Sequence, residues 1–338
     1  MNQLKSDTVD VPERENCLTC GNAGPKSGEA YMLTDRRMGL AGEWRLVRCT
    51  ACSVISMDPM ATDEQLADYY AGYAGDAPLD FSLKAGSRRP WLRKLFHRLS
   101  GDVDPRDFID APMGARMLDY GCGNVGYLAD FHARGFDISG AELSARVVEQ
   151  CRRNGFDVRQ VLSFSDIPFG SATFDVVYLM QVFEHLRDPN LFFGELFRIM
   201  RPDGTLYLAV PNADSIWRRV FGRNWVSGWF APFHLFHYNS TGLASLARKH
   251  GFELVDTWSD TPESWFRLNL QAWLQPAENR LDSKQNWLAS LPVRLVLMCL
   301  LRLVELPVSN RDCLVVKFKK MVGVEFPFTP STGLRTLE

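Results

Sequence analysis

Twelve residues constrain the fold of this chain more than any others: "MLDYGCGNVGYL", positions 117–128. An apolar run carries Asp119 close to its end. Gly121, Gly123 and Gly126 follow as G-x-G-x-x-G, and "VGYLADFHARGF" then shows helical spacing of its apolar residues. A strand that passes through a glycine loop into a helix is the opening unit of a parallel α/β sheet. In such sheets the ligand lies beyond the carboxyl ends of the strands, where this loop is. The spacing alone leaves open whether the loop holds a pyrophosphate or another nucleotide.

The pattern continues beyond the loop. "ARMLDY" and "FDISGAEL" read as strands, and "SARVVEQCRRNGF" as a helix capped by Ser144 and stopped by Gly155. Strands alternating with helices predict a doubly wound, mostly parallel sheet from about residue 113. With 338 residues, 46% of them apolar, the chain can bury one large domain plus additions. A net charge of -2 argues against a nucleic-acid partner. The polar start "MNQLKSDTVDVPEREN" lacks the apolar core of a signal peptide, so a cytoplasmic location is expected. The apolar run 291–307 is broken by Arg294, Arg302 and Glu305, which suits a buried or surface-lying helix better than a membrane span. Residues 321–338 lack periodicity and read as a loosely ordered tail.

Four of the eight cysteines fall in two pairs, Cys17-x-x-Cys20 and Cys49-x-x-Cys52. Each pair can turn two thiolates onto one cation, and two pairs close a tetrahedral shell. Such a shell has no open position, so the metal expected here is structural zinc in a small β module over residues 1–60. Cys122, Cys151, Cys299 and Cys313 have no spacing partner and read as small buried hydrophobes. Residues 61–112 read as a helical linker. Thr62 and Gln65 form a capping-box pattern before "QLADYYAGY", and "SRRPWLRKLFHRL" at 87–99 is a basic amphipathic helix. That helix suits the cover of a domain mouth, and a peripheral membrane contact is the other reading.

Asp119 discriminates between cofactors. A carboxylate aimed at the loop repels a pyrophosphate by a few kcal/mol at an effective dielectric of ~20, but suits the cationic sulfonium and amino group of S-adenosylmethionine. Glu142, at the end of the second strand, is placed to accept hydrogen bonds from ribose hydroxyls.

These segments, followed by "SDIPFGSATFDVVYLMQVFEHLRDP" and "LFFGELFRIMRPDGTLYLAVPN", resemble the successive motifs of class I S-adenosylmethionine-dependent methyltransferases over about 113–258, with a further strand near 313–319. The resemblance implies a Rossmann-like, seven-stranded α/β methyltransferase sheet over 113–320, its last strand antiparallel and supplied by "CLVVKFKK". It implies that Asp119, Gly121, Cys122 and Gly123 hold the methionine part, Glu142 the ribose, and the segment around Ser165 and Asp166 the adenine, with Gln181 at the end of the fourth strand facing the cofactor. Val125 stands where the family often has glycine, so a Cβ is expected at the methionine end of the pocket.

Methyl transfer needs an aligned acceptor, exclusion of water, and a base if the acceptor is a hydroxyl or carbon acid. Glu184 and His185 are the first candidates. Similar ubiquinone-type O-methyltransferases carry an acid three residues earlier and hold a divalent cation there; here that residue is the neutral Gln181, so no catalytic metal is expected. His234 resembles the histidine that acts as base in some sugar-modifying methyltransferases with an N-terminal four-cysteine module, although Pro232 and Phe233 replace their second histidine. His237 is a weaker candidate. The segment 211–239 carries eight aromatic residues with Arg218, Arg219 and Arg223 among them, and reads as a substrate lid or a membrane contact. A helical insertion at 262–306 is expected to thicken the same wall. The acceptor expected is a small or lipid-linked sugar or glycan precursor, methylated on oxygen or carbon. A quinone or lipid O-methyltransferase, an NAD-dependent enzyme and a non-catalytic cofactor-binding scaffold stay open.

Overall fold

The computed structural model describes residues 16–22, 29–73, 109–123, 125–161, 167–275, 281, 287–305, 307 and 309–323. Its larger sheet has seven strands: β4 (Arg116–Tyr120), β5 (Asp137–Glu142), β6 (Asp157–Gln160), β7 (Phe174–Met180), β8 (Met200–Pro211), β10 (Phe252–Asp260) and β11 (Cys313–Lys320). They lie in the order β10-β11-β8-β7-β4-β5-β6. The strands from β8 to β6 are mutually parallel, and β11 runs antiparallel to both its neighbours. This is the expected α/β architecture, with the last strand inserted backwards.

Successive residues of a central strand face opposite sides, so a doubly covered strand must be apolar throughout. Met117 and Leu118 show this: both are fully buried, and they belong to different clusters. On one side α2 (Val125–Ala133) and α3 (Ala145–Arg153) press Val125, Leu128, Phe131, Val147 and Cys151 onto the sheet. On the other, α4 (Pro189–Ile199) and α7 (Ser240–Lys249) bring Phe192, Phe193, Leu196 and Leu243. Asp188 caps α4 by accepting from the Leu191 N–H at 2.9 Å, with Pro189 at the first helical position where no N–H is needed.

A second sheet orders β1 (Ala30–Leu33), β2 (Trp44–Arg48), β3 (Ile55–Met57) and β9 (Phe236–His237). The first three come from the cysteine module. The fourth comes from the segment 211–239 and pairs antiparallel with β3. Its neighbours α5 (Ile216–Phe221) and α6 (Val226–Trp229) pack on the same module. Helix α1 (Asp63–Tyr73) opens with the expected reciprocal cap: Gln65 N–H donates to the Thr62 hydroxyl and Thr62 N–H to the Gln65 side chain. Two helices, α8 (Glu263–Leu274) and α9 (Leu291–Glu305), form the insertion between β10 and β11.

The eight aromatic rings of 211–239 are interior, none more than 9% exposed. They fill the space between the module, α8 and the larger sheet, and Trp225 Nε1 donates to Asp312 Oδ1 at 2.7 Å. These rings therefore offer no surface to a membrane. Cys299 departs from expectation: it is exposed, because α9 turns its charged residues inward. Ser144 makes no side-chain cap; its N–H instead donates to Glu142. The basic helix at 87–99 and most of the tail lie outside the described residues.

Candidate active site

The glycine loop leaves β4 and doubles back. Gly121 N–H donates to Ala141 O at 2.8 Å, and Cys122 N–H reaches the same oxygen at 3.2 Å. Gly121 has φ +78° and Gly123 φ +60°, conformations in which a side chain is strained. At Gly121 a Cβ would also stand 2.4 Å from Val182 Cγ2. The absent side chain thus lets the turn after β7 close onto the loop. That contact joins the cofactor end of the site to the Glu184–His185 turn.

Two acids bracket the loop. Asp119, opposite Gly140 and Tyr178 in neighbouring strands, is 3% exposed. Glu142 accepts from Gly123 N–H and Ser144 N–H, each at 3.0 Å, so it braces the loop it was expected to serve. Each of its oxygens keeps a further lone pair for a ribose hydroxyl. A cradle of bare glycine backbone between two carboxylates fits a cationic nucleoside ligand and disfavours a pyrophosphate. Cys122 packs its thiol into the helix-side core beside Gly140. Val125 does the same, so its Cβ occupies core and not the pocket. Gln181 has φ +53° at the end of β7, and its amide donates to Cys313 Sγ at 3.5 Å. Ser165 and Asp166 lie outside the described residues.

Glu184, His185 and His234 converge. Their ligand atoms lie within 4.8 Å of one another, although the chain separates the pair from His234 by more than forty residues. His234 Nε2 is 3.8 Å from Glu184 Oε1, and the two imidazoles meet edge to face at 4.7 Å. Glu184 is fully buried, and neither of its oxygens has a hydrogen-bond partner among the described residues. Burial pushes its carboxyl up to about 8. His185 is lowered to about 4, by burial above all. His234 is lowered well below its ordinary value by burial, and then by His185. Both rings are therefore neutral at neutral pH. His234 Nδ1 donates to Gly228 O at 2.7 Å, which leaves Nε2 as a lone pair facing Glu184. His185 Nδ1 donates to Phe233 O at 2.8 Å and shares Tyr70 Oη at the same distance. His237 contacts Trp229 O through Nε2; its ring meets His234 edge to face, with centroids 6.1 Å apart, but it is not among the three residues whose ligand atoms converge. The cluster can accept a proton, and its donor set could also seat a divalent cation.

Beside it a small, partly open hollow of about 10 Å³, room for about one water, lies between the module and the segment 211–239. Asp35, Arg36, Arg37, Arg223, Trp229 and Phe230 line it. The Arg37 guanidinium lies 3.8 Å over the Phe230 ring, which also stacks on Phe233 with centroids 4.7 Å apart and meets His234 at 5.2 Å. Asp35 is committed to the backbone N–H groups of Arg37, Met38 and Leu40. Arg37, and the contacts of Tyr70 and Phe230 with the histidines, escaped the sequence reading, because nothing in their spacing ties them to His185 or His234.

The four module cysteines gather as expected. Cys17 and Cys52 are 3.8 Å apart at sulfur, as are Cys20 and Cys49, and no pair is a disulfide. A tetrahedron of sulfurs about 2.3 Å from a central metal has edges of about 3.8 Å, so the set fits zinc.

The family model of the methyltransferase domain matches residues 86–257. A relative from Mycolicibacterium smegmatis, named a probable S-adenosylmethionine-dependent methyltransferase, is 34% identical over 49% of this chain and 61% of its own length. Ubiquinone biosynthesis O-methyltransferases of Mesorhizobium japonicum and Xanthomonas axonopodis are each 29% identical, over 34% and 46% of this chain and 49% and 69% of theirs. The chain thus covers less than two thirds of the first two relatives' lengths. With the family model spanning just over half of its residues, this chain belongs to the methyltransferase domain family.

Proposed function

We propose that the protein is an S-adenosylmethionine-dependent methyltransferase, with structural zinc on Cys17, Cys20, Cys49 and Cys52, acting on a sugar or lipid-linked glycan precursor. The observation that carries the cofactor is the pair Asp119 and Glu142 on either side of a glycine loop stripped of side chains. Bound S-adenosylmethionine supplies a methyl group already activated by its sulfonium.

The chain's own residues supply the rest. Asp119 faces the cationic end of the cofactor, and Glu142 takes ribose hydroxyls while holding the loop. His234 Nε2 accepts the acceptor's proton, its ring fixed by the bond from Nδ1 to Gly228 O. The imidazolium so formed lies 3.8 Å from Glu184, whose carboxylate form, populated as pH approaches about 8, offsets the new charge without a further proton transfer. His185, held by Phe233 O and Tyr70, packs against the His234 ring and orients it. Water is excluded because His234 is 4% exposed. The same burial means that the acceptor reaches it when the Phe230–His234 turn opens. Arg37 and Arg223, next to Phe230, set positive charge beside this turn, which suits an acceptor with an anionic group, such as the phosphates that carry glycan precursors.

Calorimetry with S-adenosylmethionine and with NAD tests the cofactor: binding of the first alone is expected, and binding of NAD alone overturns the reading. Mass spectrometry of cell lipids and glycans, with and without the gene, then seeks a species lacking the mass of one CH₂. A quinone acceptor is the second reading, favoured by the relatives named for ubiquinone biosynthesis. It predicts that the affected species is a quinone.

A further inference from the structure

Helix α9 is built inside out. Its charged residues face the protein: Arg294 pairs with Glu263 at 3.1 Å, Arg302 with Asp260 at 2.8 Å and with Glu305 at 3.0 Å, and both glutamates are fully buried. Its outer face is apolar over four turns. Leu291, Leu295, Val296, Leu300, Leu303 and Val304 are 46–64% exposed, with Cys299 among them and no charge in the stripe. An ordinary surface helix has the opposite arrangement. Two indoles on adjoining elements are also exposed: Trp287, in the turn that enters α9, at 66%, and Trp273, near the end of α8, at 61%.

Among the described residues of α5, Gly222–Asn224, α8 and α9 the acids are Glu263 and Glu305, both buried, whereas Arg219 and Arg223 are exposed. The rings of Trp273 and Phe221 meet edge to face, with centroids 6.4 Å apart, which ties the end of α8 to the helix that carries Arg219. A charge-free helical stripe, with exposed tryptophans and exposed arginines on adjoining elements, is what lies in the headgroup region of an anionic bilayer. At 1.5 Å per residue α9 is about 22 Å long, too short to cross a membrane. We propose that the outer face of α9, with Trp273 and Trp287, docks this protein on an anionic membrane surface. This goes beyond the methyl-transfer reading and does not depend on it.

The test floats the full chain with phosphatidylcholine vesicles, with and without phosphatidylglycerol. Wild type is expected to float with the anionic vesicles, and brominated lipid to quench its tryptophan emission. The double variant V296E/L300E is expected to lower the bound fraction on the order of tenfold, with melting temperature and S-adenosylmethionine affinity unchanged. Arg219→Ala is expected to lower it about fivefold on anionic vesicles alone. Trp287→Phe is expected to reduce the quenching, a readout that does not depend on how the double variant folds. The proposal falls if wild type stays unbound on both vesicle types, or if V296E/L300E floats as wild type does. It falls equally if light scattering shows a wild-type dimer that V296E/L300E converts to monomer, since a second copy then covers the stripe.

Discussion

Glu184 sits where burial penalises its charged form. A carboxyl whose oxygens find no hydrogen-bond partner among the described residues, sealed beside two neutral imidazoles, keeps its proton in the fold and loses it in the unfolded chain. Between pH 4.5 and about 8 the folded state therefore binds the extra proton, and stability falls as pH rises, by at most ~1.4 kcal/mol per unit. Asp312, raised to about 7 chiefly by burial, acts in the same direction up to that pH. His185 and His237, each lowered to about 4 chiefly by burial, act oppositely, and their contribution is lost as pH falls below 6.5. From pH 7 to 8 the Glu184 slope stands out. Glu184→Gln is expected to flatten stability there, read as urea midpoints at the two pH values; an unchanged slope denies the buried proton. His234→Ala is expected to lower turnover about 10²- to 10⁴-fold, with S-adenosylmethionine affinity within about twofold. Unchanged turnover removes His234 as the base. The sequence exposed these residues as candidates because each stands in a readable motif. It hid their convergence, which arises from how the segment 211–239 folds back onto the turn after β7. Tyr70 was legible as part of a helix, but its contact with His185 depends on how α1 docks.

At the scale of elements, legibility followed period. β4, α2, β5 and α3 each carry a local apolar rhythm, and each appears where that rhythm placed it. β9 has no rhythm to read: two residues, Phe236 and His237, find their partner about 180 positions away in β3. α9 was legible as a buried or surface-lying helix, but not which of its faces turns inward; only the partners of Arg294 and Arg302 show that. The glycine loop was legible in type but not in its dependence on a neighbour. Gly121→Ala forces a Cβ to 2.4 Å from Val182 at φ +78°. It is expected to cost about 1–3 kcal/mol of stability and to weaken S-adenosylmethionine binding. Val182→Ala in the same chain removes the clash but not the backbone strain, so the double variant is expected to recover part of the melting temperature. Full recovery, measured by calorimetry, makes the clash the whole effect and the backbone irrelevant.

Across the whole molecule, the module and the methyltransferase sheet share an element. β9 is the outer strand of the module's sheet and also ends the turn that carries His234. Met57 N–H donates to Leu235 O, and Leu235 N–H to Glu184 O, so the module, the segment 211–239 and the turn after β7 are joined through one residue. The glycine loop belongs to the larger sheet and meets that turn by packing at Val182, with no backbone bond to the module among the described residues. Removing a metal held, as proposed, by the four thiols is therefore expected to act first on one half of the site. The module buries little core of its own, so losing a thiolate–metal cross-link loosens β3 and, through β9, the position of His234. Chelation, or Cys52→Ser, is therefore expected to release one zinc per chain, lower the melting temperature and reduce turnover at least about tenfold. S-adenosylmethionine affinity should stay within about threefold, because Asp119, Gly121, Gly123 and Glu142 rest on β4 and β5. If affinity falls as far as turnover, the module supports the whole fold and not the lid. If neither changes when the metal leaves, the β3–β9 pairing stands without it.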